Sequence, residues 1–157
     1  MKEIEFLTFK LGEELFGIEV SNVDEVIKAE THINLIPNSE EYIIGVFQPR
    51  DKLLTAIDLN NMLYKETSIY TNILHKTDFT NEDKRKLETV NFIIYTNDDK
   101  SYACLVDSVR NITKINLDDL KEVPVIIKNS YIQGIYQENK DLIQILNLKE
   151  LFKTLNI

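Results

Sequence analysis

The stretch FLTFKLGEELFGIEVSNVDEV (6–26) decides the fold once it is laid over FIIYTNDDKSYACLVDSVRNI (92–112), which it matches without a gap at an offset of 86. Phe6 meets Phe92, Phe9 meets Tyr95, Phe16 meets Tyr102, Val20 meets Val106, Val23 meets Val109 and Val26 meets Ile112; the small residues Gly17 and Ala103 coincide. A second match follows at an offset of 89, pairing Tyr42 with Tyr131, Ile43 with Ile132, Gly45 with Gly134, Gln48 with Gln137, Leu53 with Leu142, Leu59 with Leu148 and Met62 with Leu151. Self-similarity over this length is an internal duplication. The half-repeats run from about 4 to 64 and about 90 to 155, around a polar connection at about 65–89.

Within each half, runs rich in Ile, Val, Phe and Tyr are bounded by Gly, Asn or Asp, the pattern of short strands closed by turns. The runs predict strands at 4–11, 15–20, 33–36, 43–48, 53–57, 91–96, 101–106, 124–127, 131–137 and 142–146. Short helices are predicted after Ser21, where Val23, Val26 and Ile27 share a helical face, after Asp58, after Asp107, and from Asn147 towards Leu155. The 65–89 connection reads as a surface segment with a helical turn or two around 81–87. Five short twisted strands with one apolar face can close into a small barrel. The expected fold class is mainly β: two similar five-stranded barrels side by side, open to strand exchange between them, with a few short helices.

A chain of 157 residues, 43% hydrophobic and 28% charged, fits one ordinary globular domain or two very small lobes sharing a core. With 18 Lys and Arg against 26 Asp and Glu, the net charge of -8 argues against nucleic acid and anionic membrane as partners, because both demand clustered cations. No apolar run approaches the roughly 20 residues of a membrane helix, and the N-terminal stretch lacks the apolar segment of a signal peptide. Cys104, the sole cysteine, has no disulfide partner within the chain. These features predict an intracellular, metal-free protein.

Positions kept in both halves read as scaffold, and positions that differ are candidates for local duties. Ser21 pairs with Asp107 and Asp58 with Asn147; all four types cap helices well, and a cap explains both copies where a catalytic carboxylate explains neither. His32 and His75 have no ligand or nucleophile at useful spacing and read as surface residues. Cys104 occupies the place of Ile18 and reads as a core residue. Gly12, Gly17, Gly45 and Gly134 stand alone, so no phosphate-cradling loop is present in the sequence. The asymmetry lies in one turn: Gln48-Pro49-Arg50-Asp51-Lys52 against Gln137-Glu138-Asn139-Lys140-Asp141. A guanidinium there is suited to fork onto a partner's carboxylate, while the plainer reading is a solvated turn. Glu25 likewise faces Asn111 in the other copy, with a solvated face as its plainer reading.

The stretch 6–20, with Val23, Asp24, Glu25 and Val26, resembles the opening of CheW-like chemotaxis adaptors. Leu35-Ile36-Pro37-Asn38 is similar to that family's apolar-Pro-Asn turn, and Gly45-Val46-Phe47-Gln48-Pro49-Arg50-Asp51 to its Gly-Val-Ile-Asn-Leu-Arg-Gly signature; Ile57-Asp58-Leu59, Val106 to Val109 and the 132–148 block continue the order. The chain departs from the signature at Pro49 and Asp51, and its 65–89 connection is long for the family. The resemblance implies two five-stranded SH3-like β-barrels on a shared hydrophobic core and no enzymatic activity or cofactor. It implies a cytoplasmic chemotaxis adaptor that couples chemoreceptor tips to the regulatory domain of the histidine kinase CheA in membrane-associated arrays, with rings of CheW-like domains as a further contact. It places partner contacts on Val23, Glu25 and Arg50 and sensitivity on Gly45, and makes Asp51, beside Arg50, a candidate modifier. Two alternatives share the fold: a paralogue serving another receptor set or motility pathway, and a small-ligand sensor using a cleft between barrels.

Overall fold

The short apolar runs become ten strands in the computed structural model, which describes residues 2–124 and 131–157. They are β1 (Glu3–Leu11), β2 (Glu14–Glu19), β3 (Val23–Lys28), β4 (Ile43–Phe47), β5 (Leu54–Asp58), β6 (Asn91–Asn97), β7 (Lys100–Val106), β8 (Ser108–Asn116), β9 (Ile132–Glu138) and β10 (Asp141–Leu146). Four helices accompany them: α1 (Leu59–Tyr64), α2 (Ile69–Leu74), α3 (Asn81–Lys86) and α4 (Leu148–Thr154). The strands form two five-stranded sheets, ordered β8-β1-β2-β10-β9 and β3-β6-β7-β5-β4. The mainly β architecture predicted from the duplication is therefore present.

The sheets do not coincide with the sequence halves. One joins the β1-β2 hairpin of the first half to β8, β9 and β10 of the second; the other joins β6-β7 of the second half to β3, β4 and β5 of the first. The compact units are accordingly Met1–Ser21 with Val109–Ile157, and Asn22–Ser108. The joins are the parallel pairs β2-β10 and β5-β7, and they share one register. Phe16 lies opposite Gln144 as Tyr102 lies opposite Thr55, and Gly17 opposite Ile145 as Ala103 opposite Ala56. These partners interconvert under the two sequence offsets, so the duplication preserved the pairing between halves as well as the strands within them.

The helices predicted after Ser21 and Asp107 are strands. A single 3-10 turn covers Val20–Asn22, after which β3 runs with Val23, Glu25 and Ile27 half-buried and Asp24, Val26 and Lys28 more exposed. Val at 23 and 26 and Ile at 27 fall at the i, i+3, i+4 spacing of a helical stripe, whereas only 23 and 27 fit an alternation, Val26 lying on the exposed side. β-branched side chains and pairing with β6 decide for the strand. β8 is the same correction in the second copy, so Ser21 and Asp107 cap no α-helix. The predicted 33–36 strand is only an isolated bridge between Asn34 and Val46, with Pro37 ending further pairing. Residues 125–127 of the predicted 124–127 strand lie outside the described residues.

The other two caps are present. Asp58 Oδ1 accepts from the Asn61 amide at 3.0 Å to start α1, and Asn147 Oδ1 accepts from the Glu150 amide at 3.0 Å to start α4. The backbone amides of Asp58 and Asn147 each donate to a tyrosine carbonyl, Tyr42 and Tyr131, at 2.7 Å. Turns repeat too: Gly12 and Asp98, equivalent under the first offset, sit at φ 60° and 57°, the left-handed region that Gly and Asp tolerate best.

The 65–89 connection is part of a core, not a surface strap. Ile73 and Leu74 of α2, with Leu87 and Val90, are buried against Ile44, Phe47, Leu54, Phe92, Ile94 and Leu105 in the Asn22–Ser108 unit. Each large side chain so buried contributes about 1.5–3 kcal/mol. Of the two helices in this connection, α2 and α3, only α3 was foreseen from the sequence. A Thr80–Asp83 capping box opens α3, and Lys76 Nζ donates to both carboxylate oxygens of buried Asp83 at 2.9 and 3.0 Å. In the other unit, Phe6, Ile115, Ile143 and Ile145 form a core with Leu15 and Tyr136 against it.

Candidate partner-binding site

β3 and β4 are the outermost strands of their sheet, and the turn after β4 carries Arg50. Arg50 Nη1 donates to Glu25 Oε2 of β3 at 2.7 Å, so the pair bridges the two edges that a barrel must bring together. The side chains remain 71% and 36% exposed, which limits the pair to about 0–1 kcal/mol of stability and leaves both groups accessible to a partner. Gln48 closes the turn by donating from Nε2 to the Asp51 carbonyl at 2.9 Å.

Beside the ion pair is an open concavity of about 230 Å³. Leu54 and Ile94, both buried, form its floor; Asp24, Glu25, Arg50, Asp51 and Lys52 stand around it with Pro49. Thr96 donates its hydroxyl to Asp24 and also lies 3.0 Å from the Ser101 hydroxyl. Among the described residues neither Asp24 nor Asp51 has a cation at ion-pair distance. Leu53, next to the floor residue Leu54, is 65% exposed.

Of the residues singled out from the sequence, Glu25, Arg50 and Asp51 thus come together. Val23 lies on the same strand and half-buried side as Glu25, paired with Tyr95. Gly45 is buried in β4 at φ 153°, and a Cβ there would lie 2.1 Å from the Asn34 carbonyl oxygen. Its demonstrable duty is to let the 33–34 backbone approach β4, where Asn34 and Val46 exchange hydrogen bonds of 2.9 and 2.8 Å.

Sequence reasoning missed the counterpart in the other unit. Arg110 of β8 donates from Nη2 to Glu138 Oε1 at the end of β9 at 3.3 Å, again bridging the two edge strands of a sheet. By the offsets, Arg110 occupies the place of Asp24 and Glu138 that of Pro49. The polarity is reversed, with the cation on the third strand and the acid on the hairpin. An arginine opposite an acid in the repeat comparison was the available signal. Asn111, opposite Glu25 in the repeat, accepts on Oδ1 from the Thr8 hydroxyl at 2.8 Å within its own unit.

The remaining candidates are structural. Cys104 is fully buried, and burial pushes its thiol up to about 12, so no thiolate forms near neutral pH. His75, expected at the surface, is half-buried with Nε2 2.8 Å from the Ile44 carbonyl oxygen, and exposed His32 stacks on Phe79 at 4.5 Å. Among the described residues no helix is long and apolar enough to cross a membrane, and no three His, Cys, Asp or Glu are grouped to hold a metal ion.

Residues 5–156 match the family of CheW-like domains, and the chain belongs to that family of non-enzymatic chemotaxis scaffold and adaptor proteins. It is 22% identical over 156 residues to the chemotaxis protein CheW of Treponema pallidum, covering 98% of this chain and 84% of that one. It is 23% identical over 152 residues to CheW of Helicobacter pylori, covering 96% and 82%. The crystal structure of the scaffolding protein TtCheW from Thermoanaerobacter tengcongensis shares the fold with a TM-score of 0.75 at 24% identity, covering 97% of this chain and 89% of that one.

Proposed function

We propose that this protein is a cytoplasmic coupling adaptor that holds chemoreceptor cytoplasmic tips and the regulatory domain of a CheA-type histidine kinase together in membrane-associated arrays. The observation that carries this reading is the accessible Glu25–Arg50 pair beside an open concavity, at positions that the family resemblance marks for partner contact. The mechanism is coupling by position: a rigid module transmits a displacement from one partner to the other and carries out no chemistry. Single contacts of this size are weak and gain strength through repetition in a plane, including contacts between CheW-like domains in rings. Val23, Glu25, Arg50 and Asp51 supply the partner surface, and Gly45 acts on it through the course of β4.

The test is co-sedimentation of the full chain with a membrane-anchored receptor cytoplasmic fragment and CheA, with kinase activity read alongside. The chain is expected to bring kinase into the pellet and raise its activity, and Arg50→Ala to weaken both without unfolding the protein. A chain that stays in the supernatant and brings no kinase into the pellet overturns the assignment. Asp51 in the signature turn and the helical 65–89 segment favour one variant of this reading, a paralogue dedicated to a particular receptor set. Binding compared across several receptor tips decides that point.

A further inference from the structure

We infer that the concavity between β3 and the 48–53 turn takes one long cationic side chain, lysine or arginine, from the partner's docking segment. This rests on the reading above that this face meets a protein partner. The space, about 230 Å³, suits one large side chain. Its floor, Leu54 and Ile94, is apolar and buried, so the occupant must bring an aliphatic stem. Its rim is charged, so a purely apolar side chain would strip water from carboxylates without compensation. Lysine and arginine alone combine a long apolar stem with a charged head.

The sign follows from the partners already made. Arg50 is matched by Glu25 at 2.7 Å, which leaves Asp24 and Asp51 against Lys52. The rim is therefore one negative charge in excess when empty, and a cation balances it. Thr96 donates to one Asp24 oxygen and so fixes the direction of that carboxylate. Exposed Leu53, next in sequence to the floor, offers an apolar contact for a residue neighbouring the cation in the partner segment. Asp51 is thereby a specificity-determining residue: it supplies the excess charge at the position where the family signature has glycine.

The probes are N-acetyl-arginine amide, N-acetyl-norleucine amide and N-acetyl-glutamate amide, titrated into the 15N-labelled full chain and followed by NMR. The arginine derivative is expected to move the Asp24, Asp51 and Ile94 amides saturably, with the other two weaker by about tenfold or more, a difference of about 1.4 kcal/mol. Asp51→Gly is expected to weaken the arginine response several-fold and Asp51→Lys to abolish it, with unchanged signals elsewhere reporting an intact fold. Three results overturn the inference: no saturable response to the arginine derivative, an equal response to norleucine or glutamate, or an unaltered response in both Asp51 variants. Co-sedimentation separates this from the adaptor reading. An arginine response in a chain that neither pellets with the receptor membranes nor brings kinase down sinks the adaptor and keeps the pocket, whereas pelleting without an arginine response does the reverse.

Discussion

Asp58 and Asn147 occupy the same place in the two halves and cap equivalent helices, yet one carries a carboxyl group and the other an amide. The second oxygen explains the difference. Asp58 Oδ2 accepts from the Ser68 amide at 2.8 Å and the Thr71 hydroxyl at 2.7 Å, tying the start of α2 to the end of β5, whereas Asn147 has no inserted segment to hold. Asp58→Asn should keep the α1 cap but set an amide NH2 against the Ser68 N–H donor in a fully buried site, costing about 1–3 kcal/mol. Urea denaturation measures this; a midpoint equal to wild type would refute the clamp. Arg50→Ala, which removes one half of an exposed pair, should shift the same midpoint by no more than about 1 kcal/mol while lowering partner affinity, read by calorimetry. The capping roles of Asp58 and Asn147 were legible because a cap shows in the residue type and the apolar stripe after it. The clamp was not, since its donors come from a segment with no counterpart in the repeat.

At the scale of elements, β4 and the 65–89 segment are where backbone geometry outweighs side-chain chemistry. Gly45→Ala would place a Cβ against the Asn34 carbonyl at a φ of 153°, so it should cost about 3 kcal/mol or more and displace the signature turn. Gly134→Ala meets nothing nearer than 3.2 Å and should cost clearly less. Thermal melts of the two variants check the order, and equal losses would contradict it. Lys76 and the Thr80 amide and hydroxyl hold the Asp83 carboxyl below its usual value of 3.8. A depressed carboxylate stabilises the fold above the unfolded value and loses that contribution as pH falls through the folded one. Amides of 76–87 should thus exchange faster as pH drops below about 4, after correction for the intrinsic rate, and Asp83→Asn should lack this dependence. The helix-for-strand error at β3 and β8 has a physical origin: the apolar positions 23, 26 and 27 follow the helical spacing, and it is long-range pairing, of β3 with β6 and of β8 with β1, that makes strands of these segments.

For the whole molecule, the duplication was visible without any structure because it lives in side-chain identities at fixed offsets. Which strands share a sheet was not visible, since both a closed half and an exchanged one present the same sequence pattern. The exchange has a direct test. Fragments 1–89 and 90–157 each lack strands of both sheets, so neither should show strand signal by circular dichroism alone, and mixing them should restore it. A fragment that folds unaided would show that its half can close on itself.

The paired sheets also bear on how such a chain could arise. A half-length ancestor with this strand order would complete its sheet only by trading strands with an identical copy, as an intertwined homodimer whose two ends had to be the same. Joining the copies into one polypeptide removes that constraint, because a substitution now alters one end and spares the other. Glu25–Arg50 in one unit and Arg110–Glu138 in the other, opposite in sense, are differences of the kind that freedom allows. One polypeptide thereby carries two distinguishable ion pairs, something a symmetric dimer of the half could not do.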